Sequence, residues 1–158
     1  MEANGKDAGL VVKSSKSLRT SLLWINQGKS GLDNKRSNLL NRVPKPNDWA
    51  KFDYESIKVK DLAYLTAASG DEFALLRGKR IDILFHGEML QCCFTDELVE
   101  LLLKGSLNLI AHSHPGEDIP IPSTKDRQTL TLIHQHSSII ISATTGIETV
   151  FTDNEFDV

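Results

Sequence analysis

Between Val59 and Thr152 short apolar runs bounded by turn residues alternate with stripes of helical spacing, and few folds accommodate that order. Val59 to Ala68 has the spacing of a short helix, stopped by Ser69-Gly70-Asp71. Glu72 to Arg77 follows, with Phe73, Ala74, Leu75 and Leu76 suited to a buried strand, and then a tight Gly78-Lys79 turn. Arg80 to His86 sets Ile81, Ile83 and Phe85 against Asp82, Leu84 and His86, the period of a strand, so the two segments predict a hairpin. Met89 to Phe94 predicts a weaker strand. Thr95 and Asp96 cap a helix over Glu97 to Lys104, whose Leu98, Leu101 and Leu102 form one stripe, and Gly105 ends it. Leu107 to His112 predicts a strand that opens into the loop Pro115 to Pro122, and Ser123 starts a helix running to about Gln135. Strands Ser138 to Ala143 and Glu148 to Thr152 then flank Thr144-Thr145-Gly146. The sum is an α/β chain whose sheet is covered by helices on both sides, with two hairpins that make the sheet mixed and not purely parallel.

The residues ahead of this region differ in kind. Lys6 to Arg42 is rich in Ser, Lys, Asn and Gly, with one apolar patch from Leu18 to Ile25, and Val43-Pro44-Lys45-Pro46-Asn47-Asp48 brings prolines that oppose helix and sheet alike. The expected division is a basic N-terminal extension and linker over 1–46 and one domain over 47–158. Charge divides along nearly the same line: residues 1–50 hold 9 Lys/Arg against 4 Asp/Glu (+5), and residues 51–158 hold 9 against 17 (−8). A basic arm suits nucleic acid or acidic protein surfaces, but this one has no dense Lys/Arg run and a single aromatic, Trp24, which favours a solvated extension.

Cys92 and Cys93 are adjacent, poor partners for a disulfide and expected as small core residues. No run approaches the ~20 apolar residues of a membrane span, and the first residues lack the pattern of a signal peptide. These features predict a soluble, cytoplasmic protein.

The chemistry concentrates in Ala111-His112-Ser113-His114-Pro115 and Pro122-Ser123-Thr124-Lys125-Asp126. Residues two apart on a strand point the same way, so both imidazoles can converge on one ion. Ser123 stands at a helix N-cap, and Asp126, three positions on, turns its carboxylate back toward the strand end as a third ligand. Two histidines and a carboxylate form the open ligand set of catalytic zinc, Zn2+, which leaves one position for water. Hydrolysis then needs a carboxylate base. Glu72 leads a strand and so stands at the rim of the sheet, whereas Glu88 follows Gly87 in a turn; Glu72 is the preferred base and Glu88 the fallback.

Other motifs carry less. His134 and His136 lie two apart near a helix end and do not face each other. His86 ends a strand, where it is structural or stands just behind the site. Gln27-Gly28-Lys29-Ser30 has the tail of a phosphate-binding loop, but Leu23 occupies the place of its first glycine.

Glu72, His112-Ser113-His114-Pro115 and Ser123-Thr124-Lys125-Asp126 together resemble the JAMM (JAB1/MPN/Mov34) metalloprotease motif: Glu, then His-Ser/Thr-His-Pro, then Ser-x-x-Asp. The resemblance covers roughly residues 56 to 152. The order of elements is similar to the RadC-like, prokaryotic JAB branch, with Ile83-Leu84-Phe85-His86-Gly87 aligned and Glu88 where no catalytic residue is expected. The resemblance implies a cytidine-deaminase-like α/β/α sandwich with a mixed sheet, zinc held by His112, His114 and Asp126, Glu72 as general base, and Ser123 stabilising the tetrahedral intermediate. Family members usually place seven residues between the second histidine and the serine, whereas Pro115 to Pro122 makes eight. The extra residue falls in a Pro-rich loop, where it can bulge without moving the ligands; at the usual spacing Lys125 would take the ligand position. Zinc deaminases of the same fold pair a His-x-Glu with a later Pro-Cys-x-x-Cys, a pairing absent here. The implied activity is hydrolysis of peptide or isopeptide bonds in a protein or peptide substrate, such as a ubiquitin-like tail. The alternatives are a non-catalytic metal-containing interaction module and a RadC-like protein associated with nucleic acid.

Overall fold

The computed structural model describes residues 38–88 and 93–154. In chain order they form β1 (Asp48–Asp53), α1 (Val59–Ser69), β2 (Phe73–Arg77), β3 (Ile81–His86), α2 (Asp96–Leu103), β4 (Asn108–His114), α3 (Thr124–Leu132), β5 (Ser137–Ser142) and β6 (Glu148–Thr152). The strands make one six-stranded sheet in the order β1-β3-β2-β4-β5-β6. Only β4 and β5 run parallel; β1–β3, β3–β2, β2–β4 and β5–β6 are antiparallel. No helix among the described residues is long and apolar enough to cross a membrane.

Alternation along the strands divides the core in two. On one face Phe73, Leu75, Leu84, Ala111 and Ile141 pack against Leu62, Ala63 and Leu65 of α1, joined by Leu39, Val43, Phe52 and Ile57. On the other, Ala74, Leu76, Ile83, Phe85, Leu109, Ile140 and Phe151 meet Leu98 and Leu102 of α2 and, from α3 and its C-cap, Leu130 and Ile133. Helices therefore cover both faces of a mixed sheet. Helix α1 is buried along almost its whole length, Thr66 and Ser69 included. It starts where the Asp61 carboxylate accepts the Lys58 N–H at 2.8 Å. It stops at Gly70, whose φ of 82° suits a residue without Cβ.

Three elements differ from the sequence-based expectation. Strand β1 has no strand signature of its own, because Asp48, Lys51 and Asp53 interrupt its apolar pattern; it forms by pairing along β3, from Asp48 opposite His86 to Asp53 opposite Ile81, and its charges suit an edge strand. Strand β4 runs to His114, two residues past the expected end, so both histidines lie on it. Helix α3 ends at Leu132 and not near Gln135, because His134 adopts a φ of 58° and turns the chain. The expected strand over Met89 to Phe94 falls largely outside the described residues, and Cys93 and Phe94 belong to no strand. Leu18 to Ile25, the basic arm up to Ser37, and Cys92 also lie outside the described residues.

An ion pair between buried Asp82 and partly exposed Arg77 clamps the β2–β3 hairpin to the chain ahead of α1. Arg77 donates from Nε to Asp82 Oδ1 at 2.7 Å and from Nη2 to the Ile57 carbonyl at 3.1 Å, while Asp82 Oδ2 accepts the Ile57 N–H at 3.1 Å. Burial pushes the Asp82 carboxyl up, but the Arg77 and amide hydrogen bonds outweigh it and hold the group below the ordinary carboxylate range. Asp82→Ala strands these donors, and the expected loss at pH 7 is about 2–4 kcal/mol. A carboxyl depressed in the folded state stabilises above the unfolded value of about 4 and loses that contribution as the pH falls through the folded one. The gap between wild type and Asp82→Ala in urea unfolding should therefore narrow from pH 7 to pH 3; a gap independent of pH would rule the ion pair out as its source.

Candidate metal centre

The centre begins with an irregularity in β4. Ala74 of β2 pairs with His112, Leu75 with Ala111 and Leu76 with Leu109, so two steps on β2 span three on β4, and the extra residue is Ile110. A one-residue slip exchanges the faces of every side chain beyond it. Leu109 before the bulge and His112 and His114 after it thus share the α2/α3 side, while Ala111 and Ser113 turn toward α1. Gln135 completes the bulged backbone: its amide donates to the Leu109 carbonyl at 2.7 Å and accepts the Leu109 N–H at 2.9 Å.

Ser113 anchors the stretch from beneath. Its buried Oγ lies 2.5 Å from Thr66 Oγ1 on α1 and accepts the Phe73 N–H of β2 at 3.0 Å. With that side chain fixed downward, the imidazoles on either side stand upward, 5 % and 9 % exposed. Their Nε2 atoms approach to 3.1 Å.

Asp126 reaches the same point from α3. Ser123 Oγ accepts the Asp126 N–H at 3.0 Å and Asp126 Oδ2 accepts the Ser123 N–H at 2.8 Å, a reciprocal capping box that fixes the carboxylate while starting the helix. Asp126 Oδ1 then lies 3.1 Å from His112 Nε2, and Oδ2 lies 3.3 Å from His114 Nε2. The eight-residue loop leaves this convergence intact: Gly116 turns it with a φ of 90°, and Ser142 Oγ and Thr145 Oγ1 tie it down through the carbonyls of Glu117 and Asp118. The loop also brings in a residue that the sequence reading missed. Glu117 Oε1 sits 2.8 Å from His114 Nδ1, a contact whose only trace in the sequence is a carboxylate three positions after the histidine.

Glu72 is placed by an extension of the β2–β3 ladder, donating its N–H to the Glu88 carbonyl and accepting the Gly87 N–H, both at 2.8 Å. Its side chain is 7 % exposed, with Oε2 at 4.0 Å from His114 Nε2. Glu88 turns its exposed side chain to Asn47 Nδ2 at 2.6 Å, so of the two candidate bases Glu72 faces the histidines. His86 is also away from the centre: its ring stacks on Phe73 and joins the Pro44 carbonyl at 2.7 Å to Asp71 Oδ2 at 2.8 Å. His86-Gly87-Glu88 matches the His-x-Glu half of the deaminase pattern, and these contacts give it a bracing role. His136 is an exposed partner of Asp153, and Cys93, expected in the core, is exposed.

The charges are unbalanced in a telling way. Three carboxylates surround two imidazoles. Burial pushes Glu72 up to about 7 despite the pull of His114, with Asp126 and Glu117 adding to the rise. Burial works against a charged His114, yet hydrogen bonds to Asp126 and Glu117 and the field of Glu72 raise it to about 9. Asp126 is held well below the usual carboxylate range, because hydrogen bonds from both histidines outweigh its burial. Hydrogen bonding alone does not close this arrangement. Each Nε2 carries one N–H or one lone pair, yet His112 Nε2 stands 3.1 Å from two partners at once. Glu72, His112 and His114 each offer a ligand atom within 4.8 Å of the others, and this buried group could hold a metal ion.

The centre opens onto a cavity of about 580 Å³ bordered by α2, α3, β4 and β6. Comparison with protein-family models, curated proteins and solved structures finds no match for the chain. In the metal-free protein the Glu72 carboxyl is expected to titrate near pH 7, and added positive charge should move it lower once a divalent cation is present. Carbon-13 NMR of labelled glutamate, with Glu72→Gln to assign the signal, measures both; a midpoint near 4 in the metal-free protein would contradict the burial described.

Proposed function

We propose that the chain is a zinc-dependent hydrolase of peptide or isopeptide bonds, with a cytidine-deaminase-like sandwich and a centre of JAMM type. The observation that carries the reading is the convergence of His112 Nε2 and His114 Nε2, 3.1 Å apart, on the Asp126 carboxylate, whose Oδ1 lies 3.1 Å from the first and Oδ2 3.3 Å from the second. Zinc–nitrogen distances of about 2.0–2.1 Å at the tetrahedral angle put neighbouring ligand atoms about 3.3 Å apart. Two imidazoles and a carboxylate are also a donor set zinc favours. Glu72, at 4.0 Å from His114 Nε2, stands one step farther out, which suits a base better than a third or fourth ligand.

When bound, zinc supplies Lewis acidity, polarising a carbonyl and making a water easier to deprotonate. The chain's own residues do the rest. His112, His114 and Asp126 would hold the metal, and Glu117 orients the His114 imidazole through Nδ1. Glu72, buried beside His114 and ionised more readily once a cation is present, takes a proton from water at its carboxylate and returns it to the departing nitrogen, so that amide and water become carboxylic acid and amine. Ser123 accepts the Asp126 N–H through its hydroxyl oxygen, which leaves its own O–H to donate to the oxyanion of the tetrahedral intermediate.

Purified protein is expected to carry one zinc per chain by mass spectrometry and His112→Ala to carry none. Hydrolysis of a panel of tail peptides and ubiquitin-like fusions should stop on chelation and return with zinc. Glu72→Gln should keep the metal and lose at least about 100-fold in kcat. A fully active Glu72→Gln beside a dead Glu88→Gln would move the base to Glu88. Zinc that stabilises the fold without hydrolysis of any substrate would favour a non-catalytic module.

A further inference from the structure

The cavity beside the centre bears on which bond the protein cuts. Its lining joins Glu72, His112 and Asp126 of the centre and polar residues of α3 such as Gln128 to an apolar set, Phe94, Val99, Leu109, Ile133 and Phe151, of which Phe151 meets the His112 ring edge-on at 5.7 Å. Leu132, 58 % exposed, also borders it. A polar reaction centre has no use for such walls unless the substrate brings something apolar to cover them. Size points the same way. An apolar cavity of roughly 150 Å³ holds a benzene ring, and this one measures about 580 Å³, within the range of roughly 300–1,000 Å³ typical of ligand sites.

Resting on the hydrolase reading, we infer that the space between α2 and α3 is a specificity subsite for a large apolar side chain, such as phenylalanine or leucine, next to the scissile bond. A substrate tail ending in consecutive glycines has no side chain to place there and leaves the walls in contact with water. Covering them should therefore separate good substrates from poor ones. Full burial of such a side chain corresponds to about a 10- to 100-fold gain in kcat/KM over glycine at the same position. Val99 on α2 and Thr129 on α3 border the space from different helices, and the Thr129 hydroxyl is engaged with the Lys125 carbonyl of its own helix. A larger residue at either position fills the cavity.

The test uses the full, zinc-loaded chain and internally quenched peptides in which one position at a time, on each side of the cleaved bond, is glycine, leucine or phenylalanine. The expected result is a Phe/Gly ratio in kcat/KM of about 10–100 at one position, falling toward 1 in Thr129→Trp and in Val99→Phe. Two variants from separate helices guard against one that misfolds. The same peptides are titrated into zinc-loaded Glu72→Gln, with and without Thr129→Trp, by fluorescence anisotropy. Cleavage with equal rates for glycine and phenylalanine, or a ratio unchanged by both filling variants, overturns the subsite while the hydrolase reading stands. Apolar peptides that bind, are displaced by Thr129→Trp and are never cleaved by the wild type keep the subsite and overturn the hydrolase reading. Neither cleavage nor binding overturns both.

Discussion

A single surplus residue in β4 decides which side of the sheet the imidazoles occupy. With Ile110 bulged out, Leu109, His112 and His114 share the α2/α3 face; in an unbroken ladder Leu109 and the two histidines would take opposite faces. Everything else at the centre is arranged to meet that choice. Gln135 supplies the hydrogen bonds the bulge takes from Leu109, and Ser113 ties the opposite face to α1 and the start of β2. The last contact matters twice, because Phe73 follows Glu72 directly, so one hydroxyl fixes the strand of the histidines and the strand of the acid.

Electrostatics explains why the cluster tolerates burial. Removing a carboxylate from water is costly unless it is paired, and here three acids share two imidazoles. The result is a graded set: Asp126 firmly ionised, His114 inclined to hold a proton, and Glu72, the deepest and least compensated acid, shifted toward neutrality. A divalent cation would convert this proton-mediated balance into a direct one. Two carboxylates whose ionisation is pushed in opposite directions within one small site are the pattern expected where one holds and another transfers.

How much of this was legible beforehand depended on whether the signal was local. Helices α1 and α2, the β2–β3 hairpin and the N-cap at Ser123 follow from periodicity and cap chemistry, and they lie within a residue or so of where the sequence puts them. The pairing of His112 with His114 was readable because a strand repeats every two residues, and Asp126 because a capping box turns its side chain back. What escaped notice depends on distant partners. Strand β1 is a strand because the β3 edge was available, with Asp48, Lys51 and Asp53 masking its pattern. The bulge at Ile110 carries no glycine or other local sign. Glu117 meets His114 only because Ser142 and Thr145, more than two dozen residues on, hold the loop in place. Cys93 looks like a core residue by type and is exposed because it lies on an irregular approach to α2.

The capping box at the start of α3 has an implication for reading other sequences. Asp126 both accepts the Ser123 N–H and faces the imidazoles, so a chain that had abandoned the chemistry would still gain from keeping Ser-x-x-Asp to begin its helix. His112 and His114 have no comparable second employment. In any descendant of this protein, retention of the aspartate would say little about whether the centre still works, and loss of either histidine would say a great deal.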